Sequence, residues 1–175
     1  MRIIAGEFRS RRLKSVPGVE TRPTPDRLRE TLFDIIALRV KDGTFLDAYA
    51  GTGAVGIEAL SRGARHAFFL ESSRTAVETI RDNLAELKAE ARATVVRGMV
   101  LLTLPRYPAD FVFIDPPYEL EREYMAALNI LAEAPPQLTI VQHSVRLALA
   151  EGYGKLRRSR LVRQGDNALS FYMEE

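Results

Sequence analysis

The sequence predicts an α/β protein whose sheet is mostly parallel, covered by helices on both faces, and finished by an antiparallel pair. Three observations carry this. From Thr44 onward, short runs that are apolar throughout alternate with amphipathic stretches, the pattern of strands buried on both faces. A glycine-rich turn, Gly51-Thr52-Gly53-Ala54-Val55-Gly56, follows the first run and opens a helical stretch. Near the end, residues 155–163 and 168–173 flank Gln164-Gly165-Asp166-Asn167, the composition of a hairpin turn.

Taken in order, residues 1–20 carry the basic cluster Arg9, Arg11, Arg12 and Lys14, closed by Pro17-Gly18. Weak alternation around Ile3 and Leu13 predicts a short hairpin there. In Thr21-Arg22-Pro23-Thr24-Pro25-Asp26, Thr24 suits an N-cap, Pro25 the first helical position, and Asp26 the positive helix end. The helix continues through Leu28, Leu32, Ile35 and Ile36, one face of a 3.6-residue repeat. Strands follow at 44–48, 67–71, 94–97, 111–114 and 138–142, with helices at 55–61, 74–87 and 122–132.

Composition narrows the function classes. The chain has 175 residues, 46% of them hydrophobic, which fits one folded domain and excludes disorder. There is no Cys, which removes disulfides, thiolate nucleophiles and sulfur-ligated zinc; the two histidines, His66 and His143, are too far apart in sequence to suggest a metal site, so none is expected. No apolar run is long enough to span a bilayer and the first residues lack a signal-peptide core, so a cytoplasmic protein without membrane contact is expected. Nothing demands more than a monomer. The net charge is only +2, but it is unevenly spread. Residues 1–41 hold ten Lys/Arg against five Asp/Glu, residues 42–154 ten against fifteen, and residues 155–175 five against three. A polyanion suits the basic ends and a cationic small molecule the acidic middle.

The glycine turn matches the dinucleotide fingerprint in spacing, and Glu71 ends the next strand where a ribose-binding acid belongs, so an NAD enzyme has to be weighed. Asp47 argues against it. This carboxylate stands four residues before Gly51 at the strand's carboxyl edge, badly placed for a pyrophosphate and well placed for an ammonium. S-adenosylmethionine (AdoMet) offers an ammonium, a sulfonium and a ribose diol, and no phosphate. Asp47 then faces the methionine end, Gly51 and Gly53 let the backbone approach, and Glu71 accepts the ribose hydroxyls. Arg22 and Thr24 are candidates to meet the cofactor's carboxylate or to close the site.

Asp115-Pro116-Pro117-Tyr118 follows the apolar run 111–114 directly. Two prolines fix φ and remove two donors, leaving a stiff turn of acceptors, the Asp115 carboxylate and the Pro116 carbonyl. Such a turn suits a flat substrate carrying an NH2 group. Acceptors on both N–H bonds draw the amino nitrogen out of conjugation and aim its lone pair at a methyl sulfonium, so alignment does most of the catalysis. Tyr118 can stack on the base.

These residues resemble the class I AdoMet-dependent amino-methyltransferases, through Leu46-Asp47-Ala48-Tyr49-Ala50-Gly51-Thr52-Gly53 and Asp115-Pro116-Pro117-Tyr118. With Arg2-Ile3-Ile4-Ala5-Gly6, Thr21-Arg22-Pro23-Thr24, Arg29-Glu30-Thr31-Leu32-Phe33 and Glu58-Ala59-Leu60-Ser61-Arg62-Gly63-Ala64, the chain is similar to the bacterial RsmD family of 16S rRNA guanine-N2 methyltransferases. The resemblance implies a Rossmann-like, seven-stranded AdoMet-binding domain over residues 21–175 and a basic RNA-binding extension over residues 1–20. It implies 16S rRNA within the small ribosomal subunit as partner. It also implies Asp115, Pro116 and Tyr118 as catalytic residues, and Asp47, Tyr49, Gly51, Thr52, Gly53, Glu71, Ser72 and Met99 around the cofactor. Two positions depart from the family's pattern. Met99, after the third strand, offers only a backbone N–H and an apolar side chain, and Gln142 stands before His143 where an acid is expected.

Arg9, Arg11, Arg12 and Lys14 are the candidate phosphate contacts, with Arg157, Arg158, Arg160 and Arg163 as a second strip. Two alternatives remain at this level. Asp-Pro-Pro-Tyr equally serves adenine-N6 methylation of DNA or RNA, and a non-catalytic RNA-binding assembly factor would keep the same fold.

Overall fold

A computed structural model describes residues 1–18 and 25–175. Helix α1 (Asp26–Val40) buries Leu28, Leu32, Phe33, Ile36 and Val40. It begins one residue later than the capping pattern suggests: Pro25 occupies the cap position and Asp26 opens the first turn. Arg22 and Thr24 lie outside the described residues. There follow β1 (Thr44–Ala48), α2 (Ala54–Ser61), β2 (His66–Glu71), α3 (Arg74–Glu86), β3 (Ala93–Arg97), the one-turn α4 (Val100–Thr103), β4 (Phe111–Ile114), α5 (Glu121–Glu133) and β5 (Leu138–Ser144). The chain ends in β6 (Gly152–Tyr153), β7 (Leu156–Gln164) and β8 (Asn167–Glu174).

The sheet has eight strands in the order β3-β2-β1-β4-β5-β8-β7-β6. Strands β1 to β5 are parallel, and β8 pairs antiparallel with both β5 and β7. The expected seven strands are present. The eighth, β6, is a two-residue strand on the outer edge of β7, too short to leave a signal in the sequence. The hairpin turn is two residues long, Gly165-Asp166, with Gly165 at φ 60°. The order reverses between β1 and β4, where an open parallel sheet leaves a crevice at its carboxyl edge.

Alternation along the strands divides the core. Phe45, Phe111, Phe113, Ile140 and Leu169 face α1. Leu46, Val112, Ile114 and Val141 face α5, through Tyr124, Ala127, Leu128 and Leu131. A third cluster joins Ala67 and Phe69 of β2 to α2 and α3, and Ile3, Phe8 and Leu13 belong to it.

The N-terminal segment is therefore seated on the α2–α3 side. Its expected hairpin is short: an antiparallel bridge, Arg2 to Arg12, with Ile3 N–H donating to the Arg11 carbonyl and Leu13 N–H to the Met1 carbonyl, both at 3.0 Å. Glu58, fully buried on α2, holds it: its two carboxylate oxygens accept the N–H groups of Ile4 (2.9 Å) and Ala5 (3.1 Å) and the Arg62 side chain at 2.9 Å. Ser61 Oγ donates to the Ala5 carbonyl and accepts from Phe8 N–H, while Asn83 Oδ1 accepts from Lys14 N–H at 2.7 Å. Burying these groups is tolerable only because each finds a partner. Among the described residues no helix is long and apolar enough to cross a membrane, and no cluster of metal-ligating side chains occurs.

Candidate active site

The loop after β1 turns sharply because three of its five residues are left-handed: Tyr49 (φ 64°), Gly51 (φ 57°) and Gly53 (φ 80°). A non-glycine residue in that region is strained, and such strain concentrates at functional loops. The glycines serve different ends. A Cβ on Gly51 would meet no atom within 4 Å, so the backbone there borders open space. Gly53 caps α2. At Gly56 a Cβ would lie 2.4 Å from the Phe69 ring, so this glycine lets α2 sit tightly on β2.

Two carboxylates fasten the loop. Asp47 is buried, and its Oδ2 accepts the Gly56 N–H at 2.9 Å. Burial, and then the neighbouring charges of Asp115 and Glu71, hold the Asp47 carboxyl well above the ordinary carboxylate range. Glu71, at the tip of β2, accepts from Gly51 N–H through Oε2 and from Ser73 N–H through Oε1, both at 2.9 Å. An ionised carboxylate offers about four lone-pair sites, so two remain for a ligand.

From the other side of the crevice, β4 delivers Asp115-Pro116-Pro117-Tyr118. The Pro116 carbonyl accepts from the buried Tyr124 hydroxyl at 3.1 Å, and the Tyr118 hydroxyl donates to Asn167 Oδ1 on β8 at 2.5 Å. Burial raises the Tyr124 hydroxyl's pKa, so it remains a donor, and the Pro116 carbonyl keeps its second lone pair. Tyr49 donates to Glu123 of α5, joining the first loop to the opposite wall.

All of this faces one cavity of about 730 Å³. Asp47, Tyr49, Gly51, Thr52, Glu71, Ser72, Met99, Asp115, Pro116 and Tyr118 line it, whereas Gly53 does not. Sequence reasoning missed Met1, Glu123 and Asn167, which come from distant parts of the chain and carry no local motif, and marked Gln142 only as a departure from the family's pattern. Among the described lining residues there is no Lys, Arg or His. Carboxylates, apolar Met99 and Leu101, and an open backbone at Gly51 fit a cationic nucleoside such as AdoMet. A pyrophosphate would face Asp47, Glu71 and Asp115, which removes the dinucleotide reading.

The basic cluster is divided. Arg11 donates to the Glu86 carbonyl at the end of α3, and Lys14 pairs with Glu86 (2.8 Å) and Asp82 (3.4 Å). Arg9 and Arg12 are exposed. In the second strip Arg157 pairs with Glu175 and Arg158 with Glu151, while Arg160 and Arg163 are exposed.

Strand order, glycine loop and the Asp-Pro-Pro-Tyr edge together define a class I methyltransferase. The chain belongs to the family described as conserved hypothetical protein 95, the RsmD family, whose model matches residues 1–173. Ribosomal RNA small subunit methyltransferase D of Escherichia coli strain K12 is 43% identical over 119 residues, 67% of this chain and 60% of that one. The structure of yhhF from Escherichia coli superposes with a TM-score of 0.88 at 34% identity, covering 100% of this chain and 98% of that one. An RNA methyltransferase from Salinibacter ruber, solved with S-adenosyl-L-homocysteine, shares the fold at 16% identity and a TM-score of 0.68, over 87% of this chain and 94% of that one.

Proposed function

We propose that the protein transfers a methyl group from AdoMet to the exocyclic N2 of a guanine in 16S rRNA, within the small ribosomal subunit. The observation that carries this is the meeting, in one cavity, of the carboxylate-fastened glycine loop after β1 and the rigid acceptor turn after β4. Membership of the RsmD family supports the ribosomal substrate and the N2 position.

AdoMet, when bound, supplies the methyl group as an electrophile on its sulfonium. Asp47 holds the ammonium end, and Glu71 accepts the ribose hydroxyls with its two remaining lone pairs. Tyr49, Gly51, Thr52, Ser72 and Met99 surround the rest. Asp115 and the second lone pair of the Pro116 carbonyl accept hydrogen bonds from the two N–H bonds of the guanine amino group, which directs its nitrogen lone pair toward the methyl group. As the N–C bond forms the S–C bond breaks, leaving a thioether, and the surplus amino proton passes to Asp115 or water. Tyr118, steadied by Asn167, stacks on the base; such stacking is worth about 1–3 kcal/mol. Positioning of this kind supplies most of the rate. Arg9 and Arg12 are the members of the cluster that meet RNA phosphates; Arg11 and Lys14 are also exposed but already engaged with α3.

The test is methyl transfer from labelled AdoMet to small subunits from an unmodified strain, to naked 16S rRNA and to DNA, with digestion to nucleosides. Label in N2-methylguanosine on subunits is expected. Label in N6-methyladenine would overturn the substrate assignment. Asp115→Ala should nearly abolish transfer while AdoMet affinity stays within a few fold.

A further inference from the structure

Gln142 is 3% exposed, lines the same cavity as Asp115, and its side-chain Oε1 has no hydrogen-bond partner. Buried side-chain oxygens are nearly always satisfied. The other such orphaned atoms among the described residues, Nε and Nη1 of Arg29 and Oγ1 of Thr139, belong to residues that do not line the cavity. An orphaned acceptor in a cavity wall is a place for a donor that arrives with a ligand.

The sheet register says where that donor must stand. Val141 of β5 pairs with Ile114, the last residue of β4, so Gln142 on β5 stands beside Asp115, the first residue beyond β4, at the carboxyl edge of the sheet. His143 does not compete for the place. It is buried with Nε2 on Ser170 Oγ at 2.8 Å and Nδ1 on the Ser144 carbonyl at 2.9 Å. Gln142 thus contributes an amide oxygen beside the Asp115 carboxylate.

We propose that Gln142 selects the base: its Oε1 accepts the N1–H of guanine while Asp115 accepts from the adjacent N2 amino group. The inference rests on reading the site as a guanine-N2 methyltransferase. Guanine presents N1–H and the N2 amino group as neighbouring donors, a match for two neighbouring acceptors. Adenine presents one amino donor beside a bare N1. With adenine bound and the amide oriented as in the structure, Oε1 would face a lone pair and stay unpaired, and rejection through an unpaired buried group is the stronger form of discrimination. Gln142 therefore works with Asp115 as a specificity determinant.

Gln142→Leu and Gln142→Met remove the acceptor and keep the bulk. Each should lower kcat/KM on small subunits by about 10- to 100-fold. AdoMet Kd should be unchanged, and Tm equal to or above wild type, because the variant no longer buries an orphaned oxygen. Gln142→Glu restores an acceptor and should keep transfer within about tenfold of wild type, with the label still in N2-methylguanosine. A merely structural Gln142 would give a lower Tm and no rescue by Glu. Wild-type kcat/KM in a folded Leu or Met variant overturns the proposal, as does a Glu variant no more active than Leu. If the wild-type protein labels adenine, the guanine reading falls, and if it labels nothing the enzyme reading falls; in either case the proposal falls with it. N2-methylguanosine from the wild type alongside unaffected variants overturns the proposal alone.

Discussion

Gly51 donates its backbone N–H to Oε2 of Glu71 at 2.9 Å, so the side chain proposed to read the cofactor's ribose also shapes the loop proposed to carry the cofactor. Binding and loop geometry are thereby one variable. Glu71→Ala should weaken AdoMet by about 10- to 100-fold, the range for hydrogen bonds to a charged group. Glu71→Gln keeps one acceptor and should fall between. Isothermal titration with AdoMet gives both values, and equal affinity in all three proteins would refute the assignment.

Asp47 gives a pH dependence with a definite sign. Its carboxyl is raised by burial and by Asp115 and Glu71, so the folded, ligand-free protein keeps a proton that the unfolded chain gives up. Its contribution is most favourable below the unfolded value of about 3.9 and is lost as pH rises through the raised one. Asp47→Asn retains an acceptor for Gly56 N–H and removes the charge. Its Tm should exceed that of wild type by a margin that widens with pH, while AdoMet binds more weakly. In the wild type, the Tm increase caused by AdoMet should grow as pH rises. A flat profile would remove Asp47 from the ammonium site.

Gly56→Ala puts a methyl group 2.4 Å from the Phe69 ring edge, inside a packed core. Overpacking of this kind costs about 1–3 kcal/mol. Denaturant unfolding should show the loss, and Phe69→Leu in the same protein should recover part of it. Strict additivity of the two changes would mean that the ring is not the obstacle.

Glu58→Ala strips a buried acceptor from Ile4, Ala5 and Arg62 together, and leaves the fully buried Arg29 without the carboxylate 3.9 Å from its Nε. Removing one partner from a buried charge network costs about 3–5 kcal/mol. Hydrogen exchange at Ile4 and Ala5 should accelerate well beyond that at β1. If both amides stay protected, the segment is held by its apolar side chains alone.

Arg9 and Arg12 should govern the salt dependence of binding to small subunits. Replacing both with Ala should flatten the plot of log affinity against log salt by about 0.7–0.9 per lost phosphate contact. Lys14→Ala should change the slope less, because Lys14 is already paired with Asp82 and Glu86.

The parts of the fold legible in the sequence were those in which local pattern and tertiary role agree. The runs 44–48 and 111–114 are apolar, short and bounded by turn residues, and they coincide with β1 and β4. Asp47, Glu71 and Asp115 were legible for the same reason, because a strand end marks the carboxyl edge of the sheet. The seating of the N-terminal segment was not. Its buried residues Ile3, Phe8 and Leu13 are spaced by fives, which matches neither a helix nor a strand. Gln142 and Asn167 reach the cavity only through the pairing of β5 with β4 and β8, a long-range register that no local window contains. The one-turn α4 is too short to show a period.

The docking of residues 1–18 also has a consequence for synthesis. Phe8 waits for Ser61, Lys14 for Asn83 and Glu7 for Arg92, partners translated 53, 69 and 85 residues later. At bacterial elongation rates of about 5–20 residues per second, that delay is roughly a few seconds to twenty. Throughout it, Ile3, Phe8 and Leu13 lack the α2 and α3 surfaces that bury them in the folded protein. Arg9, Arg11 and Arg12, set between Phe8 and Leu13, stand where gatekeeper charges oppose aggregation of an unpartnered apolar segment.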